Sequence, residues 1–124
     1  MPDTWCIYHV ENCSHARPNP KDKFVVIVCR ASKCMGFLVN TEIRPFILKR
    51  PELLKAQVKI KVSDYSFLDY NSYIDCKDLY DFEDRDLLNR RAPVNIVTKA
   101  EIRKVISDSN TIESRYQKLI LYNN

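Results

Sequence analysis

The chain has 124 residues, of which 45% are hydrophobic and 29% are charged, and its formal net charge is +4. This composition is typical of one globular domain, and the mildly basic balance permits a polyanionic partner without requiring one. Because glycine occurs only once, the chain has neither a G-x-G-x-x-G nucleotide loop nor a P-loop. It also lacks H-E-x-x-H, G-x-S-x-G and C-x-x-C motifs, so most familiar enzyme classes are excluded.

The cysteine content and the N-terminus indicate a cellular compartment. Five cysteines are an odd number, and the first ten residues lack the features of a signal peptide. No apolar run approaches the ~20 residues that span a bilayer. We therefore expect a single domain over residues 1–124 that is cytoplasmic and keeps its thiols reduced.

A strand and a long loop are predicted first. Residues 5–10 (WCIYHV) have high β-propensity. Residues 11–23 are polar and contain Pro18 and Pro20, so they predict an extended loop of about thirteen residues. Loops of this length in small domains are usually functional or mobile.

A hairpin at residues 24–39 is predicted to form the centre of the core. Residues 24–29 (FVVIVC) are apolar on both faces, as in a strand that is buried on both sides. Residues 30–34 are polar enough to turn the chain, and residues 35–39 lead back through the core.

The middle of the chain predicts short elements. Residues 42–51 are irregular because of Pro45 and Pro51, and residues 52–55 predict one helical turn. Apolar and polar side chains alternate along residues 57–62, which predicts a strand with one basic face. Three further segments follow: a turn at 63–70, a short strand at 73–76 and an acidic loop at 78–86.

The last third is predicted to be helical. Thr98 and Glu101 have the spacing of a capping box, and a second helix start at Asn110 and Glu113 precedes an apolar stripe. Strands first and short helices last predict a mainly β fold with C-terminal helices. We expect a small, curved, antiparallel barrel with the helices closing one end.

Several of these segments resemble motifs of the PemK/MazF toxin family. Residues 23–28 (KFVVIV) resemble its second-strand motif, residues 36–41 (GFLVNT) its third strand, residues 72–76 (SYIDC) a later strand, and the helix from Thr98 its C-terminal helix. The resemblance implies an SH3-like barrel that forms a homodimer. It also implies the toxin of a type II toxin–antitoxin system, a metal-independent endoribonuclease that cleaves single-stranded RNA and is inhibited by an acidic antitoxin protein.

The resemblance implies catalytic roles for Lys23 and Thr41. In this family a basic residue before the second strand and a Thr or Ser ending the third act on the scissile phosphate. The family's usual arginine and proline are replaced here by Lys23 and Phe24, and Asp75 stands where some members carry a basic residue. Lysine lacks the bidentate fork of arginine. A second hypothesis is therefore a catalytically altered barrel that binds nucleic acid or protein.

The loop at residues 11–23 supplies further candidates. RNA cleavage by 2′-hydroxyl attack needs a base, an acid and a cation near one phosphate. His15 is a candidate catalytic acid or base because histidine titrates near neutrality, and Arg17 and Lys21 are candidate cations. The alternative is that His15 is a solvated loop residue.

A basic segment lies between residues 44 and 61, with six cations and one carboxylate. Phosphate contacts, together with bases stacked on nearby aromatic rings, would suit single-stranded RNA. The alternative is a solvated charged face. The RNA-binding residues predicted in this segment are Arg44, Lys49, Arg50, Lys59 and Lys61.

Four N-terminal residues have side chains that bind zinc in other proteins: Cys6, His9, Cys13 and His15. Their spacing, C-x2-H-x3-C-x-H, matches no common zinc finger. Unrelated strand and loop residues explain the pattern better, so we predict no metal and no cofactor.

Overall fold

The computed structural model describes residues 1–122, which form one six-stranded sheet and four helices. The strands are β1 (Cys6–Cys13), β2 (Lys21–Arg30), β3 (Cys34–Asn40), β4 (Gln57–Ile60), β5 (Ser72–Phe82) and β6 (Asn89–Pro93). The helices are α1 (Pro45–Leu48), α2 (Pro51–Leu54), α3 (Ile96–Ser107) and α4 (Ser114–Tyr122), and a 3-10 turn spans Asp84–Asp86. None of these helices is long and apolar enough to cross a membrane.

The strands are all antiparallel and lie in the order β4-β5-β3-β2-β1-β6. Bulges interrupt the register of β1, β2 and β5, and such bulges bend and twist a sheet. The sheet therefore curls into a half-barrel with β4 and β6 at its edges, and the C-terminal helices follow the last strand. The predicted mainly β fold is confirmed.

The two faces of the sheet bury two separate apolar clusters, which confirms the doubly buried hairpin of β2 and β3. The helix-side face carries Val26, Val28 and Phe37, which pack with α3 and α4. The opposite face, called the second face below, is defined by a cluster of ten residues: Cys6, Tyr8, Val10, Cys13, Val25, Ile27, Cys34, Leu38, Phe82 and Leu87. Successive side chains of β2 lie on opposite sides of the sheet, so Val25 and Val26 belong to different clusters and this one strand contributes to both faces.

The predicted loop at residues 11–23 is shorter than expected. β1 continues to Cys13 and β2 begins at Lys21, so the connection covers residues 14–20. Asn12 takes a left-handed conformation (φ 47°) at the bulge, and its amide donates to Asp22 Oδ1 at 2.9 Å. Asparagine tolerates this conformation, and the side-chain acceptor lets the strand pair continue through polar sequence.

Residues 78–86 were expected to form an acidic loop, and the structure corrects this prediction. β5 continues to Phe82, and the rest of the predicted loop contains the 3-10 turn. Phe82 pairs with Cys34, and the acidic side chains are matched by cations of the β2–β3 turn: Lys33 lies 3.6 Å from Asp81, and Arg30 lies 2.9 Å from Asp84. Cross-strand pairing with a basic turn offsets the low β-propensity of these aspartates.

Three smaller expectations also differ from the structure. β4 ends at Ile60, so Val62 is exposed rather than part of the strand. β6 (NRRAP) was not predicted because it has no apolar alternation; it is an edge strand that pairs with β1. α3 begins earlier than predicted, because Asn95 is its N-cap and accepts the Thr98 amide at Oδ1 over 2.8 Å.

Candidate functional site

Lys23 lies near the start of β2, on the second face of the sheet. β2 and β3 pair Val25 with Leu38, and this register places Lys23 beside Asn40 at the end of β3. The Lys23 ammonium donates to Asn40 Oδ1 at 2.5 Å. Thr41, which is exposed, follows Asn40 directly. Strand register therefore brings the two residues implied by the family resemblance to the same end of the sheet.

The surroundings of Lys23 lower the pKa of its amine. Half-burial of the side chain lowers its pKa from 10.5 to about 8, and the positive charges of Lys21 and Arg44 act in the same direction. Cys13 and Asp75 oppose this effect without cancelling it. About a tenth of the amine is therefore neutral at pH 7, a far larger fraction than in an ordinary surface lysine.

Asp75 is a buried carboxylate on β5, opposite Leu38 of the second face. Its Oδ1 accepts from Gln57 Nε2 at 2.8 Å, and its Oδ2 accepts from Lys77 Nζ at 3.0 Å. Lys77 Nζ also donates to Asp78 at 2.6 Å. Burial lowers the pKa of Lys77, but these two hydrogen bonds and the negative charges of Asp75 and Asp78 together outweigh burial and raise the pKa overall. The Asp75 charge is thus matched within β4 and β5.

Two arginines lie at the same end as Lys23. Arg44, which precedes α1, donates from Nη2 to the carbonyl oxygen of Arg17 at 2.9 Å. The Arg17 guanidinium donates back to the carbonyl oxygen of Ser14 at 3.2 Å, within its own loop. Arg44 acts on the pKa of Lys23, and Arg17 acts on the pKa of Tyr80, which burial raises. The structure therefore gathers the predicted residues Lys21, Lys23, Arg17 and Arg44 around one region.

A cross-strand row extends from Lys23 across the second face. Asn40 pairs with Tyr73 of β5, and Tyr73 pairs with Lys59 of β4. Lys59 alternates with the buried residues Val58 and Ile60, so its exposed side chain lies on the same side as Lys23. Tyr73 is partly buried between the two lysines. Sequence reasoning missed Asn40 and Tyr73, although the position of Asn40 next to Thr41 was a usable signal.

The remaining predicted RNA contacts are exposed and more distant in the fold. Lys49 and Arg50 connect α1 and α2, and Lys61 follows β4. The Arg50 Nε donates to Glu52 Oε1 at 2.9 Å, so its charge is shared with a carboxylate. The structure therefore places these three side chains outside the immediate surroundings of Lys23.

His15 has its own set of partners. Its Nε2 lies 2.8 Å from the Asp81 carbonyl oxygen, and its ring stacks on Tyr80 with centroids 4.6 Å apart. The ring also borders a cleft of about 370 Å³ whose lining includes Glu11, Asp81 and Glu83. The structure therefore places His15 against β5 rather than beside Lys23.

The four possible zinc ligands are not assembled into a metal site. His9 lies 3.7 Å from Asp22 and packs edge-on against Phe24, whereas Cys6 and Cys13 are buried thiols. Within residues 1–122, no group of three or more His, Cys, Asp or Glu side chains has an arrangement that could hold a metal ion.

Comparisons with known proteins support the fold. No protein-family model matches the chain, and no curated protein matches it in sequence. Among solved structures, the chain is similar to Mycobacterium tuberculosis toxin MazF-mt6, with a TM-score of 0.63 and 13% identity. The similarity covers 87% of this chain and 98% of that chain.

Proposed function

We propose that this chain, which has a MazF-like fold, is the toxin of a type II toxin–antitoxin system and a metal-independent endoribonuclease that cleaves single-stranded RNA. The observation that carries this proposal is the adjacency of Lys23 and Thr41. The 2.5 Å bond from Lys23 to Asn40 holds the amine beside the residue that precedes Thr41. Two cations, Lys21 and Arg44, lie close enough to act on that amine.

This arrangement suits phosphodiester cleavage by the neighbouring 2′-hydroxyl. Such a reaction needs proton transfer and stabilisation of negative charge on the phosphate oxygens. Thr41 is assigned the hydrogen bond to a non-bridging oxygen. Arg17, Lys21 and Arg44 offset the phosphate charge, and Lys23 acts at the reacting atoms. His15 remains a candidate proton donor that would have to leave the Asp81 carbonyl oxygen to reach the substrate.

The RNA strand would extend from Lys23 along the row that ends at Lys59. Successive strands are about 4.8 Å apart, so this row of four residues spans about 14 Å, or roughly two nucleotides. Tyr73 offers a ring on which a base could stack, and stacking of this kind is tolerant of sequence. Lys61, Lys49 and Arg50 would contact phosphates further along the strand.

The acidic antitoxin and the homodimer belong to the same proposal. The segment of α1 and α2 exposes three apolar side chains, Phe46, Leu48 and Leu54. Cations surround them in sequence, among them Lys49, Arg50 and Lys55. This combination fits an acidic segment with apolar side chains.

We also propose that the chain forms a homodimer, as the family resemblance implies. A monomer in light scattering at micromolar concentration would contradict the dimer.

A cleavage assay tests the enzymatic proposal. A long single-stranded RNA is incubated with the protein, with and without EDTA, alongside Lys23→Ala and the control Lys104→Ala, which alters an exposed lysine of α3. We expect fragments that persist in EDTA and a loss of about 100-fold or more in Lys23→Ala only. Cleavage that requires a divalent ion, or that survives Lys23→Ala, would contradict the proposal.

The second candidate is a binding module without catalysis. It is favoured by the substitution of the family's arginine by Lys23 and by the lowered pKa of that lysine, which reduces its charge at neutral pH. In the same assay this function predicts intact RNA together with tight binding that weakens steeply as salt rises.

A further inference from the structure

The bond between Lys23 and Asn40 differs from an ion pair in one chemical respect. An amide oxygen accepts a hydrogen bond from an ammonium or from a neutral amine, so Asn40 holds Lys23 Nζ in place without fixing its charge. A carboxylate at this position would stabilise the ammonium instead. The nearby carboxylate of Asp75 is already occupied by Gln57 and Lys77.

We propose that Lys23 takes the proton from the 2′-hydroxyl of the substrate, and that Asn40 is the positioning residue that aims its amine. This inference rests on the proposed RNA cleavage. A lysine can act as this base where an arginine cannot, because an arginine side chain does not lose its proton in proteins. The geometry that carries it is a half-buried amine held by a neutral acceptor at the strand end next to Thr41.

The charged and titratable groups that face Lys23 come from β1, β2, β5 and the segment before α1, and two of the four disfavour an additional positive charge. Lys21 lies on β2 and Arg44 precedes α1, and both lower the pKa of Lys23 in addition to burial. Cys13 on β1 and Asp75 on β5 act in the opposite direction. With a pKa of about 8, about a quarter of the amine is neutral at pH 7.5. The guanidinium groups of Arg17 and Arg44 can bind the phosphate while Lys23 exchanges its proton.

In the proposed cleavage step, Lys23 is the base and the 2′-oxygen is the nucleophile. The neutral amine of Lys23 removes the proton of the 2′-hydroxyl as the 2′-oxygen forms a bond to phosphorus. The bond between phosphorus and the 5′-oxygen breaks. The 5′-oxygen takes a proton from solvent water, because His15 is held at the Asp81 carbonyl oxygen and away from Lys23. The Lys23 ammonium then returns its proton to solvent. The products are a 2′,3′-cyclic phosphate and a 5′-hydroxyl, and the enzyme is regenerated.

An NMR titration tests the Lys23–Asn40 pair independently of any activity. Lysine side chains of the full chain are isotope-labelled, and the Lys23 signal is assigned by its loss in Lys23→Arg. We expect a midpoint near 8 in the wild type and an upward shift of about one pH unit in Asn40→Asp, because a carboxylate favours the ammonium. The control Asn110→Asp, at an exposed position, leaves the midpoint unchanged. A Lys23 midpoint above 10 in the wild type, or none of this shift in Asn40→Asp, would overturn the inference.

The pH dependence of cleavage tests the catalytic role. We expect kcat/KM to rise about tenfold per pH unit below 8 and to level off above it. Asn40→Asp should move this inflection upward by about one unit, and Asn40→Leu should lower kcat about tenfold with KM within about twofold. Lys23→Arg should bind RNA within about twofold of the wild type but cleave at least about 100-fold more slowly.

Two results would overturn the proton-transfer role. Activity that falls as the pH rises through 8 would show that the charged form is the active one, and full activity in Lys23→Arg would show that no neutral amine is needed. If the wild type cleaves no RNA, the proposed function fails with this role, while the NMR titration still decides whether Asn40 holds Lys23.

Discussion

The Tyr65 hydroxyl lies 2.8 Å from the Thr98 Oγ1, and both side chains are buried. The same hydroxyl accepts a hydrogen bond from the Asn95 amide at 3.1 Å, and either hydroxyl can be the donor in the bond between Tyr65 and Thr98. One tyrosine thereby ties the turn between β4 and β5 to the first turn of α3. Thr98, which resembles a helix cap in the sequence, is instead a buried partner inside the helix.

Removing this hydroxyl should destabilise the protein. In Tyr65→Phe, the Asn95 amide and the Thr98 hydroxyl lose their partner, and we expect a loss of about 1–3 kcal/mol in the free energy of unfolding. Urea denaturation measures it, with Tyr70→Phe as the control because Tyr70 is 69% exposed. Equal stability of the two variants would contradict a stabilising role for the bond.

Two isoleucines of α3 form a matched pair for the helix-side core. Ile102 is completely buried, whereas Ile96 is 83% exposed. Ile102→Ala should cost about 2–5 kcal/mol, because it removes apolar contacts and leaves a cavity. Ile96→Ala should change stability by less than about 0.5 kcal/mol. Similar costs at both positions would mean that α3 does not pack on the sheet as described.

Gly36 should not tolerate a side chain. A Cβ atom at this position would lie close against the Val26 carbonyl oxygen and 2.9 Å from Ile27 Cδ1. Because backbone atoms of β2 cannot move aside cheaply, Gly36→Ala should cost about 3 kcal/mol or prevent folding. Thermal unfolding compared with Ala31→Ser, an exposed turn position, gives the measurement. A Gly36→Ala variant as stable as this control would refute the close approach of the two strands.

The buried carboxylate of Asp75 should depend on Lys77. Lys77→Met removes the cation 3.0 Å from Oδ2 and leaves the charge with hydrogen bonds to Oδ1 alone. We expect a loss of about 1–3 kcal/mol, since an unpaired buried charge is costly. A double-mutant cycle with Asp75→Asn should recover part of this loss. Additive effects of the two substitutions would show that the pair is not coupled.

The stability contribution of Lys23 should change with pH. Its folded-state pKa is about 8 and its ordinary value is 10.5, so between these pH values the unfolded chain binds more protons than the folded chain. Stability attributable to Lys23 therefore rises from pH 8 to pH 10.5. Lys23→Met should be more stable than the wild type at pH 7, with a smaller difference at pH 10. Urea denaturation at both pH values measures this, and a difference independent of pH would contradict it.

Much of the fold follows from local sequence patterns. The apolar runs of β2 and β3 predicted the buried hairpin because β-branched residues on both faces suit a doubly covered strand. The short apolar stripes predicted α3 and α4. In contrast, β6 and the second half of β5 are too polar to be recognised as strands. They form because neighbouring strands and the basic turn at Lys33 supply their partners.

The residue types available to the site can be read from the chain alone: Lys23, Thr41 and a surplus of cations around them. Which of these residues come into contact depends on how the strands pair and pack. Strand register places Lys23 beside Asn40, whereas the His15 ring packs on Tyr80 and lies apart from Lys23. The lowered pKa of Lys23 is likewise not evident from the sequence, because it arises mainly from burial, with smaller contributions from the charges of Lys21 on the same strand and Arg44 before α1. A residue's chemistry is encoded locally, but its protonation and its partners depend on the chain that surrounds it.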